Sequence, residues 1–250
     1  MRPHLITLAL ALPLLFCSPS LAWHDATHMA IMKAAGLDDY TYLAVGADMA
    51  KEKSGGYENG NHYCNNAKSV VVTAEMVLDQ LRDYNCRCND EGHLYGAIIA
   101  ALNHYREGKA AGKYALYHLG FAAHYIGDLS MPLHNVVYND FNKANHSAND
   151  GVVEGDGKET TDAKVARIAA AIKEKMRRIP PYQLPKAKED VLRFNHALAR
   201  KIAEIANKSM SLGYSMQESR PQKPVLDLEE AYSQLAESAA LLKAAFAAAQ

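Results

Sequence analysis

The chain of 250 residues has one tryptophan, four cysteines and a formal charge of only −1. With 27 basic residues against 28 acidic ones, it lacks the long-range field that draws a protein to nucleic acid or anionic lipid. β-Branched runs are nearly absent. Val70 to Val72 is the single one, and its helical flanks argue against a strand. No internal repeat or low-complexity tract is evident. Long apolar runs are also missing, apart from Leu5 to Phe16, which is too short to span a bilayer.

That run follows the basic Arg2 and precedes Ser20-Leu21-Ala22, a small-x-small pattern. The combination reads as a secretory signal peptide cleaved after Ala22. Phe16 before Cys17 is too bulky for lipid attachment. The expected mature chain is residues 23–250, a single domain carrying a charge of about −2 once Arg2 is gone, in the periplasm or secreted. An oxidising compartment favours one disulfide among Cys64, Cys86 and Cys88, expected from Cys64 to Cys86 or Cys88 with one thiol left over. The Cys-x-Cys pair has no second pair to complete a metal site.

From Asp25 onward the apolar spacing is helical. One segment ends at Gly36, and a second is capped by Asp38 or Asp39 and runs to Lys53. Further helices are expected in "AKSVVVTAEMVLDQLRDYN", "DEGHLYGAIIAALNHYREG", "AGKYALYHLGFAAHYIGDL" and "TTDAKVARIAAAIKEKMRRI". Others run from Lys186 to Leu212 and from Leu226 to the end. Residues 54–66 and roughly 139–158 read as polar loops. The expected class is an all-α, single-domain helical array.

Most of the eleven histidines need no special role, and His93, His104, His118 and His196 read as structural or solvated. His124 and Asp128 differ, because i, i+4 spacing puts both side chains on one helix face, where one ion can take both. Pro132 ends that helix and His134 follows just beyond. His146 and Asp150 repeat the His-x-x-x-Asp spacing. His28, Asp48 in "AVGADMAKEK" and His62 in "GNHYCNN" are the upstream candidates, each unremarkable alone. Tyr57 and Tyr63 flank His62 as candidate pocket walls, although loop tyrosines usually just pack.

"HYIGDLSMPLH", residues 124–134, resembles the signature His-Tyr-x-Gly-Asp-x-x-x-Pro-x-His of the zinc-dependent bacterial phospholipases C, relatives of the secreted single-strand-specific zinc nucleases. The resemblance covers residues 23–150; beyond that, only helicity agrees. It implies three Zn2+ ions in a cleft of a helical domain. Asp48, His62, His124 and Asp128 would hold the first, and His134, His146 and Asp150 the second. The amino nitrogen and carbonyl oxygen of Trp23, with His28 and the other oxygen of Asp128, would hold the third. Trp23 can offer its amine only after cleavage, so completion of the site would await export.

Phospholipases usually carry Glu where this chain has Asp150. The nucleases carry Asp there and share the Trp-x-x-x-x-His opening of Trp23 to His28. Asn135 stands where phospholipases prefer a small residue or proline, and no membrane-binding β-sandwich follows. The resemblance therefore implies a phosphodiester hydrolase, first of phospholipid head groups and alternatively of single-stranded nucleic acid or nucleotides. Asp48 would additionally orient or deprotonate the attacking water. The reading from another class is a non-catalytic periplasmic zinc-binding helical protein.

Overall fold

A computed structural model describes residues 23–155 and 157–250. The signal-peptide reading concerns residues 1–22 and lies outside them. Among the described residues there is no strand, and the architecture is an all-α array around one apolar core. The α-helices are α1 (Asp25–Ala35), α2 (Gly46–Lys53), α3 (Ala74–Asp79), α4 (Leu94–Ala110), α5 (Leu116–Leu129), α6 (Asp140–Asp150), α7 (Thr161–Met176), α8 (Val191–Glu218) and α9 (Leu228–Ala249). Short 3₁₀ turns span Asp38–Val45, Asn59–His62, Gln80–Asp83 and Pro132–His134. No described helix is long and apolar enough to cross a membrane.

The central element is α5, in which every residue from Ala122 to Leu129 is buried. A helix apolar around its circumference belongs inside, and α1, α2, α4, α8 and α9 all pack on it. Two of its glycines permit unusually close approach: a Cβ at Gly120 would lie 2.6 Å from the Leu43 carbonyl oxygen. The C-terminal carbonyls of α5 have no partners within the helix and are satisfied from distant elements. Ser209 and Asn135 donate to Leu129 O at 2.9 and 3.0 Å, Gln234 donates to Ser130 O at 3.1 Å, and Ser238 donates to Ile126 O. Asn135 also donates to Met131 O and accepts from the Tyr95 hydroxyl, so it braces the turn leading to His134.

Several local expectations change. Residues 67–73 are not helical, because both backbone polar groups of Val72 bond to the side chain of Asn207 at 2.9 Å, and α3 starts only after the Thr73 cap. The segment after Leu37 winds first as 3₁₀ and becomes α-helical only at Gly46. Helix α8 starts later, at the Asp190 cap, and continues to Glu218. Of the polar stretch 139–158, the first part is a helix and only the described residues from Gly151 on are turn and irregular. Asn139 caps the helix by accepting from the Asn142 N–H, and α6 follows with Asn142, His146, Asn149 and Asp150 buried. Its inward face is polar, so a search for apolar periodicity passes over it.

The disulfide also departs from expectation. Cys86 pairs with Cys88, while Cys64 is free and buried with its Sγ against the Gln80 side chain. Cys64 is buried against the start of α4, at Leu94 and Tyr95, whereas Cys86 and Cys88 lie on the partly exposed segment between the Gln80–Asp83 turn and α4. Burial pushes the Cys64 thiol up to about 12, so almost none is thiolate near neutral pH. Native protein should therefore resist alkylation by iodoacetamide at pH 8, and unfolding without reductant should release one reactive thiol. Rapid labelling of Cys64 in the native state, read by mass spectrometry, would contradict this placement.

Candidate metal centre

Four elements converge on one buried spot. Helix α1 brings His28, α2 brings Asp48, the Asn59–His62 turn brings His62, and the C-terminal half of α5 brings His124 and Asp128. The Pro132–His134 turn and α6 add His134, His146 and Asp150. These polar residues gather into three groups: His28 with Asp48 and His124; His62 with His124 and Asp128; and His134 with His146 and Asp150. Within each group the candidate ligand atoms all lie within 4.8 Å of one another.

Asp128 joins the first two groups. Its Oδ2 lies 3.0 Å from His62 Nδ1 and 3.4 Å from His124 Nε2, while its Oδ1 lies 3.4 Å from His28 Nε2. Asp48 Oδ1 stands 3.6 Å from His124 Nε2 and 3.7 Å from His62 Nδ1. Around a tetrahedral divalent ion with ligand distances of about 2.0–2.2 Å, neighbouring donor atoms are about 3.3–3.6 Å apart. The observed separations are close to the edges of such a polyhedron.

Three rings have their outer nitrogens fixed by carbonyl acceptors. His124 Nδ1 donates to Ala44 O at 2.7 Å, His134 Nδ1 to His62 O at 2.5 Å, and His146 Nδ1 to the Asn142 side-chain oxygen at 2.6 Å. Each Nε2 is thereby left as a lone pair turned inward, as ligating histidines require. The consequence is sharpest between His134 and His146, whose Nε2 atoms face each other at 3.0 Å. Burial holds His134 well below the usual imidazole range and His146 at about 4, so at neutral pH neither ring carries an extra proton to bridge the gap. A cation held between them would relieve the two opposed lone pairs.

The carboxylates point the same way. Burial raises Asp128 and Asp150 well above the ordinary carboxyl range, with Asp48 adding repulsion to both. Both oxygens of Asp48 and of Asp150, Oδ1 of Asp128, both nitrogens of His28 and Nε2 of His124 are buried without a hydrogen-bond partner. Native interiors rarely leave so many polar atoms unsatisfied in one place. Three imidazole-rich groups with carboxylate oxygens suit a borderline divalent ion, and the residues present fit up to three.

Trp23 is buried, but no polar contact of its own with the cluster is among the described contacts. The next residue ties that end of the chain down: His24 N–H donates to Asp150 O at 3.4 Å, and its ring covers Gly151. Tyr63 turns away, its hydroxyl donating to Asp90 O, and Tyr57 is exposed beneath Arg87. The rings beside the cluster are instead the buried Tyr125, 5.5 Å from that of His62, and the exposed Tyr138, 6.2 Å from that of His146. Of the histidines read as structural, His93 is buried against Asn61, and His104 and His118 pair with each other.

Sequence reasoning also passed over Asn142, Glu58 and Lys51. The first two precede a ligand histidine by four residues, a spacing too common to single them out. The Lys51 ammonium is 3.9 Å from Asp48 Oδ1 and its positive charge reaches His62, His134, His146, Asp128 and Asp150. No protein-family model matches the chain, and no curated protein does.

The glycine of "HYIGDL" has a visible cause. A Cβ at Gly127 would stand 2.6 Å from His28 Nδ1, so only glycine lets α1 deliver that ring. Gly127→Ala should cost about 1–3 kcal/mol of stability through overpacking and reduce the number of ions bound, as read by elemental analysis; unchanged metal content would refute the packing argument. Removing metal should have a larger effect. One site held at 1,000 times its Kd contributes about 4.1 kcal/mol, so a chelator should lower the melting temperature of loaded protein by many degrees. Identical melting with and without chelator would exclude a structural ion at these groups.

Proposed function

We propose that the chain is an exported zinc-dependent phosphodiester hydrolase of the phospholipase C type, acting on phospholipid head groups. The observation that carries this reading is Asp128, whose two oxygens face histidines on opposite sides, as a carboxylate shared by two ions would. Asp48, His62, His124 and Asp128 would hold one zinc, and His134, His146 and Asp150 a second. His28 and Asp128, with the amine and carbonyl of Trp23 after cleavage, would hold the third. Zinc bound there would supply Lewis-acid activation of water and neutralisation of charge on the phosphoryl oxygens.

The remaining chemistry belongs to side chains. Asp48 is buried with both oxygens free of hydrogen bonds, so it can orient the attacking water and accept its proton. Lys51 lies on the same helix, one turn on, and its side chain is 23% exposed where those of His28, His124 and Asp128 are fully buried. It therefore stands on the open side of the cluster, where its ammonium can hold a non-bridging oxygen of the substrate phosphate. Tyr138, half-exposed beside His146, walls the approach from α6.

A second reading, a single-strand nuclease or nucleotidase with the same ions, is favoured by Asp150 and by the five-residue step from Trp23 to His28. The mature protein restored with zinc should be assayed against phosphatidylcholine and single-stranded DNA in parallel. Release of diacylglycerol and phosphorylated head group is expected. Acid-soluble nucleotides alone would transfer the protein to the nucleases, and no turnover of either by fully loaded protein would leave a zinc-binding protein.

Two variants test the assigned roles. Asp128→Asn should impair activity more than any other single ligand change, because it weakens two ions at once; comparable activity and metal content would defeat the shared-ligand assignment. Lys51→Met should lower kcat/KM by about 10²–10³, the usual effect of deleting one charge-stabilising donor, without changing zinc content. Full activity in that variant would remove Lys51 from the phosphate site.

A further inference from the structure

Behind His62 lies a buried polar network that the proposed chemistry does not use. Glu58, on the turn preceding His62, is buried, and its Oε1 lies 3.6 Å from His62 Nε2. The carboxylate is held from two other directions. The Tyr125 hydroxyl donates to Oε1, and Asn61 Nδ2 donates to Oε2 at 2.9 Å. Asn61 is itself locked, since its side-chain oxygen faces His93 Nε2 at 2.9 Å and accepts the Asn85 N–H at 3.2 Å. The His93 ring sits so close to Gly60 that a Cβ there would lie 2.5 Å from His93 Cε1. The whole Asn59–His62 turn is thus pinned from outside the metal centre.

His62 is oriented differently from the other ligands. His124, His134 and His146 direct Nε2 inward and give their Nδ1 proton to a neutral carbonyl oxygen. His62 directs Nδ1 inward, 3.0 Å from Asp128 Oδ2 and 3.7 Å from Asp48 Oδ1. A ring that binds an ion through Nδ1 must carry its proton on Nε2, which has no hydrogen-bond partner at its present distance. The carboxylate facing that nitrogen is Glu58.

Resting on the zinc reading above, we infer that Glu58 is a positioning residue that makes His62 an Nδ1 ligand, accepting the Nε2 proton and raising the basicity of the ring. Its effect extends to a second ion. The backbone carbonyl of His62 accepts the Nδ1 proton of His134, so the pose of residue 62 sets ligands in two of the three groups. A carboxylate four residues from one ligand thereby governs both.

The test compares Glu58→Ala and Glu58→Gln with wild type, using zinc as the probe in competition titrations and ¹⁵N-histidine NMR of the zinc-loaded proteins. In wild type the His62 Nε2–H should appear as a slowly exchanging, downfield signal. Glu58→Ala should lose that signal, shift the His134 Nδ1–H signal, leave that of His146 in place, and bind zinc about 10–100-fold more weakly. Glu58→Gln retains an acceptor without the charge and should restore the Nε2–H signal with a smaller loss of affinity. Should the alanine variant fail to fold, the glutamine variant carries the test alone through its shifted signal and weakened binding.

Wild-type zinc affinity and an unmoved Nε2–H signal in the variants would overturn the role of Glu58 while leaving the metal centre intact. Wild-type protein that takes up no zinc would instead remove the metal centre, and the role of Glu58 with it.

Discussion

A carboxylate at the centre of a helical core, turned toward three imidazoles, is the constraint around which this molecule is organised. Asp128 is fully buried with one oxygen aimed at His28 and the other at His62 and His124. Burial alone would keep it protonated and leave the histidines neutral, an arrangement that places many polar atoms in a dry interior with nothing to satisfy them. A divalent cation resolves that conflict because it prefers the deprotonated carboxylate and the neutral imidazole that the geometry already presents.

The surrounding architecture makes such a site possible. Helix α5 is buried along the stretch that carries His124 and Asp128, and its loose C-terminal carbonyls are collected by Ser209, Gln234, Ser238 and Asn135. The far C-terminal helices therefore contribute no candidate ligand yet hold the end of the ligand-bearing helix in place. Gly127 opens the space that His28 fills. Helix α6 turns a row of Asn, His and Asp inward, where its carboxamides orient His146 and seal the region against Leu133 and Pro224. A site of this kind is rigid because its outer hydrogen bonds reach several different elements.

The functional reading follows from the centre outward. Three adjoining groups of nitrogen and carboxylate ligands can gather positive charge at one spot, and phosphodiester cleavage needs charge of that sign where the phosphoryl oxygens sit. Lys51 adds to the same field from the more exposed side. The near-neutral chain does not steer polyanions from a distance, which agrees better with a small or lipid-borne phosphodiester than with a long nucleic acid.

The sequence alone determined the helical class and the pairing on one helix face of His124 with Asp128 and of His146 with Asp150, with His134 just past Pro132, because i, i+4 spacing is a local property; His28, Asp48 and His62, unremarkable alone, became candidates only through the resemblance of residues 23–150 to the zinc phospholipases. Sequence reasoning misplaced the disulfide, missed α6 and extended a helix through Val72. Those outcomes were set by partners remote in the chain: Asn207 for the backbone of Val72, the polar cluster for the inner face of α6, and the start of α4 against Cys64. Only the tertiary structure decided that His62 faces inward through Nδ1, that Glu58 and Lys51 stand beside His62 and Asp48, and that Gly127 yields its space to His28. The physical reason is that a buried polar group takes its meaning from what surrounds it, and what surrounds it here comes from elements tens of residues apart.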